Sequence, residues 1–257
     1  MLGAIIGDVV GSIYAFQPIR TKSFELLDPR ARFTDDTILT AATSNVIAYY
    51  LQENKQLDFA AEMQEELLRI GWLYQSQEVA FSHRFSDWLF ADEPKPYGSA
   101  GVTAASRVSS AGLMASSLAE AEELAQMAVA ITHNHAEGIK GAQCVAGCVY
   151  LGKNGASKEE IRRYTLSKYE LGFTLKDIRL RYNFVPTCPM SVPPAIEAFL
   201  ESEDFEDALR NIISVGGSDS LAAITGSIAG SFYGVPEELA QQVLPYLDEE
   251  IQEDILE

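Results

Sequence analysis

Gly216-Gly217-Ser218-Asp219-Ser220-Leu221-Ala222-Ala223-Ile224-Thr225-Gly226 places a run of oxygen-bearing side chains directly before an apolar segment with helical spacing. Ser, Asp and Thr satisfy the free N–H groups of a helix's first turn, so the stretch reads as a helix opening, with the helix over residues 220–232. A second opening of the same kind, Phe33-Thr34-Asp35-Asp36-Thr37, precedes Ile38-Leu39 and a helix over 37–51. Helical periodicity also covers 58–75, 118–132, 138–151, 157–169, 193–201, 205–213 and 236–244, while the sustained alternation of strands is absent. The expected fold is all-α. Loops are expected at 92–99 and at 184–194, where Pro186, Pro189, Pro193 and Pro194 fall. Neither reads as a domain linker, so residues 1–257 are taken as one domain in which the two acidic openings meet.

Each opening has two readings. Asp, Ser and Thr are what any helix N-terminus prefers, so plain capping accounts for either cluster alone. The other reading is a cation site, because the clusters offer only hard oxygen ligands, which suit Mg²⁺, Ca²⁺ or Mn²⁺ rather than zinc. Asp35 and Asp36 are adjacent on a helix and point roughly 100° apart, which suits two ions, or one ion and its waters, better than a pincer on a single ion.

Composition bounds the partners. The formal net charge of −18 repels phosphate backbones and anionic membranes, so neither nucleic acid nor a membrane is expected as partner. An anionic ligand would need a metal or a local basic patch, for which Arg20, Lys22, Arg30 and Arg32 are candidates beside solvated loop charges. Residues 153–181 are basic, whereas 237–257 carry eight acids and no Lys or Arg. Cys144, Cys148 and Cys188 give no disulfide framework, and the first two, one helical turn apart, read as buried thiols. Asp8 interrupts the first apolar run and no stretch reaches membrane-spanning length, so the expected location is cytoplasmic. Ser82, His83 and Asp87 contain the ingredients of a nucleophilic triad but match no nucleophile elbow.

Four motifs occur in a characteristic order: Gly3-Ala4-Ile5-Ile6-Gly7-Asp8-Val9-Val10-Gly11-Ser12, Phe33-Thr34-Asp35-Asp36-Thr37, Thr132-His133-Asn134-His135-Ala136-Glu137-Gly138 and Gly216–Gly226. In this the chain resembles the ADP-ribosylglycohydrolases from end to end. The resemblance implies a compact orthogonal multi-helix bundle, a binuclear Mg²⁺ centre with Mn²⁺ as the alternative ion, and hydrolysis of the bond joining ADP-ribose to a protein side chain or another acceptor. It further implies ADP-ribose or an ADP-ribosylated protein as partner, and metal ligation by Thr34, Asp35, Asp36, Asp219 and Ser220. His133, His135, Arg107, Gly101 and Ser218 fall where the family binds its ligand, with simple helix entry and helix bracing as the alternatives for the histidines and Arg107.

Three positions depart from the family pattern. Where a glutamate commonly handles the attacking water, the chain has Ala15. The last motif commonly carries a further aspartate between its glycines and Ser218, and that residue is deleted here. Gly101-Val102-Thr103 stands where Gly-Asn-Gly is usual, bringing β-branched bulk to a loop expected against the ligand. Asp35 or Asp36 would then take the catalytic role, with Glu25 as a more distant acid. A slow or retuned hydrolase, a binding protein without activity, and a partner-binding protein with a vestigial cleft all remain open.

Overall fold

A computed structural model describes residues 1–76 and 81–256. Among these the chain is helical and forms no strand. In chain order the helices are α1 (Leu2–Gly11), α2 (Asp35–Gln52), α3 (Phe59–Tyr74), α4 (His83–Leu89), α5 (Thr103–Ser106), α6 (Ser109–Met114), α7 (Leu118–Ala130) and α8 (Ala136–Lys153). They continue with α9 (Lys158–Leu166), α10 (Leu175–Ile178), α11 (Cys188–Leu200), α12 (Phe205–Ser214), α13 (Asp219–Tyr233), α14 (Glu237–Val243) and α15 (Glu249–Leu256). None is both long and apolar enough to cross a membrane.

Helix α13 is buried along nearly its whole length and packs against α1, α8, α11 and α12. Its most intimate partner is α1, at the opposite end of the chain. The contact is backbone to backbone: a Cβ built on Gly3 would lie 2.4 Å from the carbonyl oxygen of Gly226, one on Gly7 2.0 Å from that of Ala222, and one on Gly11 2.6 Å from Asp219 Cα. That order makes the two helices antiparallel, so the end of α1 meets the start of α13. Around this pair, α8 gathers α6, α7, α9 and α11, while α2 lies against α1, α3 and α6.

Helix starts follow the capping chemistry read from the sequence. Thr34 caps α2 by accepting from Asp36 N, Ser157 completes a capping box with Glu160, and Asp204 caps α12. Ser82, considered for a triad, caps α4 by accepting from Phe85 N. Cys144 and Cys148 are free, buried thiols, and Cys148 Sγ lies 3.5 Å from Thr165 Oγ1.

One expectation is corrected, and stretches that periodicity left unassigned prove helical. The first motif is a helix, α1, because its small residues allow close packing that periodicity alone does not reveal. Helix α11 starts at Cys188, five residues before the expected 193, and carries Pro193 and Pro194 inside it. Pro194 has no N–H for the carbonyl of Met190, and the Tyr182 hydroxyl donates to that oxygen instead at 3.2 Å, so the proline is tolerated. Residues 249–256, read only as acidic, form α15, which fastens to α2 and α3 through Asn45 to Asp254 at 2.9 Å and Tyr74 to Asp248 at 2.7 Å.

The α1–α13 contact predicts a sharp contrast between glycines. Gly7→Ala, whose methyl would meet rigid backbone, is expected to cost roughly 1–3 kcal/mol, a fall in Tm of roughly 3–10 °C. Gly172→Ala, with nothing within 4 Å of the added carbon, is expected to leave the melting curve within about 1 °C of wild type. Thermal unfolding by circular dichroism measures both.

Candidate metal centre

The first turns of α2 and α13 and the body of α1 bring three carboxylates together. Oxygens of Asp8, Asp36 and Asp219 all lie within 4.8 Å of one another. Asp36 and Asp219 therefore converge as the sequence led one to expect, but the third member is Asp8, not Asp35. Asp8 lies in the first of the four motifs, yet sequence spacing assigns it no role beyond interrupting an apolar run; only the packing of α1 on α13 aims it inward.

Asp8 is fully buried and works as a brace. Thr34 donates to it twice, through Oγ1 to Oδ1 at 2.6 Å and through N to Oδ2 at 2.8 Å. Thr37 also donates twice to Oδ2, through Oγ1 at 2.5 Å and N at 3.2 Å. A side chain of α1 thus satisfies two of the N–H groups that the start of α2 leaves open. Asp36, also buried, accepts from the Ser220 hydroxyl at 2.6 Å and from the Ser106 hydroxyl, which ties α2 to α13 and α5. Asp219 accepts from Ser220 N at 2.8 Å, and Ser218, the N-cap of α13, is buried beside it.

Burial dominates the electrostatics. It pushes Asp8 up to about 8, with the charges of Asp36 and Asp219 adding to it, and pushes Asp219 up to about 7, with Asp36 as the next cause. Asp35 is raised well above the carboxylate range by burial and then by the charges of Asp36, Asp219 and Asp8. Asp36 is raised by burial, opposed by the Ser106 and Ser220 hydrogen bonds and by Arg107. Among the described residues, no lysine or arginine forms an ion pair with Asp8, Asp36 or Asp219. Converging buried carboxylates without a paired cation, together with hydroxyl oxygens from Thr34 and Ser220, form a donor set that fits a hard divalent ion.

The residues expected to bind the ligand are placed differently from one another. His133 is buried, its Nδ1 2.8 Å from Thr132 Oγ1 and its ring edge-on to Tyr97; burial, then Arg107 and Arg84, drives its pKa well below the usual histidine range. Gly101 sits over it, since a Cβ there would lie 3.2 Å from His133 Nε2. His135 is exposed and caps α8, accepting from Glu137 N at 3.1 Å. Arg107 is fully buried and donates through Nη2 to Ala128 O and Thr132 Oγ1, bracing the end of α7. Burial lowers it to about 10.

The departures have local consequences. Ala15 follows a 3₁₀ turn, Ser12–Tyr14, and leaves no carboxylate at that position. At the shortened motif, Gly216 has φ +83°, a conformation that favours glycine, and Arg20 donates to Val215 O beside it and to Tyr182 O at 2.7 Å. Val102 turns its side chain into the core, where it is 3% exposed, and its N donates to Pro186 O at 3.2 Å, so its bulk does not enter a ligand space. Of the proposed basic patch, Arg20 is thus committed to carbonyls, Lys22 to Asp207 and Arg30 to Asp28.

The sequence and its all-helical fold match known proteins. The sequence pattern of the family described as ADP-ribosylglycohydrolase covers residues 1–257, and the chain belongs to that family. A solved structure described as an ADP-ribosylglycohydrolase-related protein complex superposes with a TM-score of 0.70 at 21% identity, over 99% of this chain and 93% of the other, which shows a shared fold. No curated protein matches the chain significantly.

Two measurements follow. Asp219→Asn keeps the acceptor for Ser220 N and removes one buried charge, so without divalent ions it is expected to raise stability by about 1–2 kcal/mol. Millimolar Mg²⁺ or Mn²⁺ is expected to raise the Tm of the wild type and not that of Asp219→Asn, read by melting curves with and without chelator. The His133 ring resonances are expected to stay at their neutral-form positions from about pH 6 to 8 in NMR titrations.

Proposed function

We propose that the protein is a divalent-ion-dependent ADP-ribosyl hydrolase that keeps three converging acids, lacks one aspartate of the family's last motif and lacks the side chain that activates water, so that it turns over slowly. The observation that carries the reading is the convergence of Asp8, Asp36 and Asp219 within 4.8 Å. Asp36, Asp219, Thr34 and Ser220 would hold the ion, with Asp35 next to Asp36 in the chain and Asp8 fixing the turn that presents Thr34 and Asp36. Mg²⁺ or Mn²⁺, when bound, would stabilise charge at the departing glycosidic bond and orient substrate. The chain's own contribution is placement: the hydroxyls of Ser106 and Ser220 hold Asp36 in one rotamer, and Asp219 is held by the backbone of its own helix opening.

His133, buried and held neutral, offers Nε2 beneath the Gly98–Gly101 loop as a polar contact for ribose or phosphate. The loop itself is clamped, with Gly98 N donating to Asn134 Oδ1 at 2.7 Å and Cys188 N to Ala100 O at 2.9 Å. Arg107 supports this wall from behind rather than meeting ligand. Proton removal from water falls to Asp35, which is only partly buried and is not among the three converging acids, because alanine at position 15 accepts no proton. General-base assistance is typically worth about 10²–10⁴-fold, so its displacement to a less suitable acid slows the reaction without abolishing it.

A binding protein without activity is the second reading, and Ala15 favours it. Release of ADP-ribose from modified protein separates the two: the wild type is expected to turn over well below about 1 s⁻¹, and Ala15→Glu to raise kcat by at least about tenfold with ADP-ribose affinity unchanged. Binding of ADP-ribose with no release by wild type or Ala15→Glu would establish the second reading instead.

A further inference from the structure

Two surface segments meet at Arg20. Its guanidinium joins Val215 O, at the end of α12 just before the approach to α13, to Tyr182 O, in the segment between α10 and α11. That segment is also tied to Gly101 by an isolated antiparallel bridge from Thr187. Residues 16–32 and 173–190 are therefore joined to each other and to the chain that leads into α13. In a chain of net charge −18, these 35 residues hold seven lysines and arginines against three acids. Among the described residues, the two most exposed large apolar side chains also lie here, Phe16 and Leu180, each 87% exposed and each within four residues of the clasp. Phe16 edges a cavity of about 400 Å³ that begins at Ser12, one residue beyond Gly11, which abuts Asp219.

Not every cation here is free to act. Lys22 and Arg30 are neutralised by Asp207 and Asp28. Lys176 and Arg181 are exposed and form no ion pair among the described residues, and Arg20 is bound to carbonyl oxygens, which leave its charge uncompensated. A positive, partly apolar rim on an otherwise strongly acidic surface repels nothing anionic and offers two large side chains for burial.

Resting on the reading of the site as an ADP-ribosyl hydrolase, we propose that this rim docks an acidic polypeptide segment, that of the protein bearing the ADP-ribosyl group. The charge selects acidic flanks over basic ones, and Phe16 and Leu180 supply the contact area that a free nucleotide would not use. A nucleic acid would meet the same cations but faces the acidic remainder of the molecule and has little use for aliphatic Leu180.

The test measures anisotropy of fluorescein-labelled peptides of one length, each bearing a single ADP-ribosyl group, with acidic or basic flanks. The full chain is used with Mg²⁺ at low salt. The acidic peptide is expected to bind at least about tenfold more tightly than the basic one, and the ratio to fall below about threefold in Phe16→Ser/Lys176→Glu/Arg181→Glu. All three side chains are exposed, so the variant is expected to melt like wild type. Equal affinity of the two peptides, an unchanged ratio in the variant, or equally tight binding of a single-stranded DNA of the same charge would overturn the proposal. Unmodified peptides keep the two readings apart. If the ADP-ribosyl group adds no affinity to either peptide, the hydrolase reading fails, while an acidic preference lost in the variant still establishes the docking face.

Discussion

The contact on which the rest depends is the backbone-to-backbone packing of α1 on α13. Gly3, Gly7 and Gly11 fall four residues apart and form one face of α1, with Gly226 and Gly230 answering from α13. No side chain separates the helices there. Chain segments more than two hundred residues apart are thereby held at van der Waals distance, and a methyl at Gly7 would occupy the space of a carbonyl. Because the helices run antiparallel, Asp8 on α1 and Asp219 on α13 arrive at the same end of the pair.

The acid centre is the electrostatic cost of that arrangement. Carboxylates are confined where water is largely excluded, each lifted toward its neutral form by burial. Such a cluster is unfavourable for stability and persists because other interactions of the fold hold it in place. The hydrogen bonds around it are unequal: Asp8 accepts four and is committed to bracing α2, whereas Asp219 accepts fewer and keeps oxygen available. Division of labour among chemically identical groups follows from which donors each one meets.

The lost residues of the family pattern act on a different level. Removing one residue before Ser218 shortens the approach to α13, and the strand of chain there is stabilised by Gly216 in a left-handed conformation and by Arg20 across it. The same arginine anchors the segment before α11. One cation therefore links the shortened motif to the segment before α11.

Much of this was legible from sequence, because it depends on local physics. Oxygen side chains before an apolar helical run mark the openings of α2 and α13, and 3.6-residue spacing marks α3, α7, α8, α12 and α13. The order of four motifs carried the family, and Asp36 with Asp219 as converging acids followed from it. What escaped were features set by distant partners. Asp8 looked like an interruption of an apolar run until α13 packed beside it. Pro193 and Pro194 argued for a loop until Tyr182 supplied the donor that Pro194 lacks. Arg20 read as part of a basic patch, yet its guanidinium serves carbonyls contributed by residues some 162 and 195 positions away. Local sequence determines where helices begin and which groups they can offer; only the tertiary packing decides which groups face one another, because burial and proximity are properties of segments that sequence spacing does not connect.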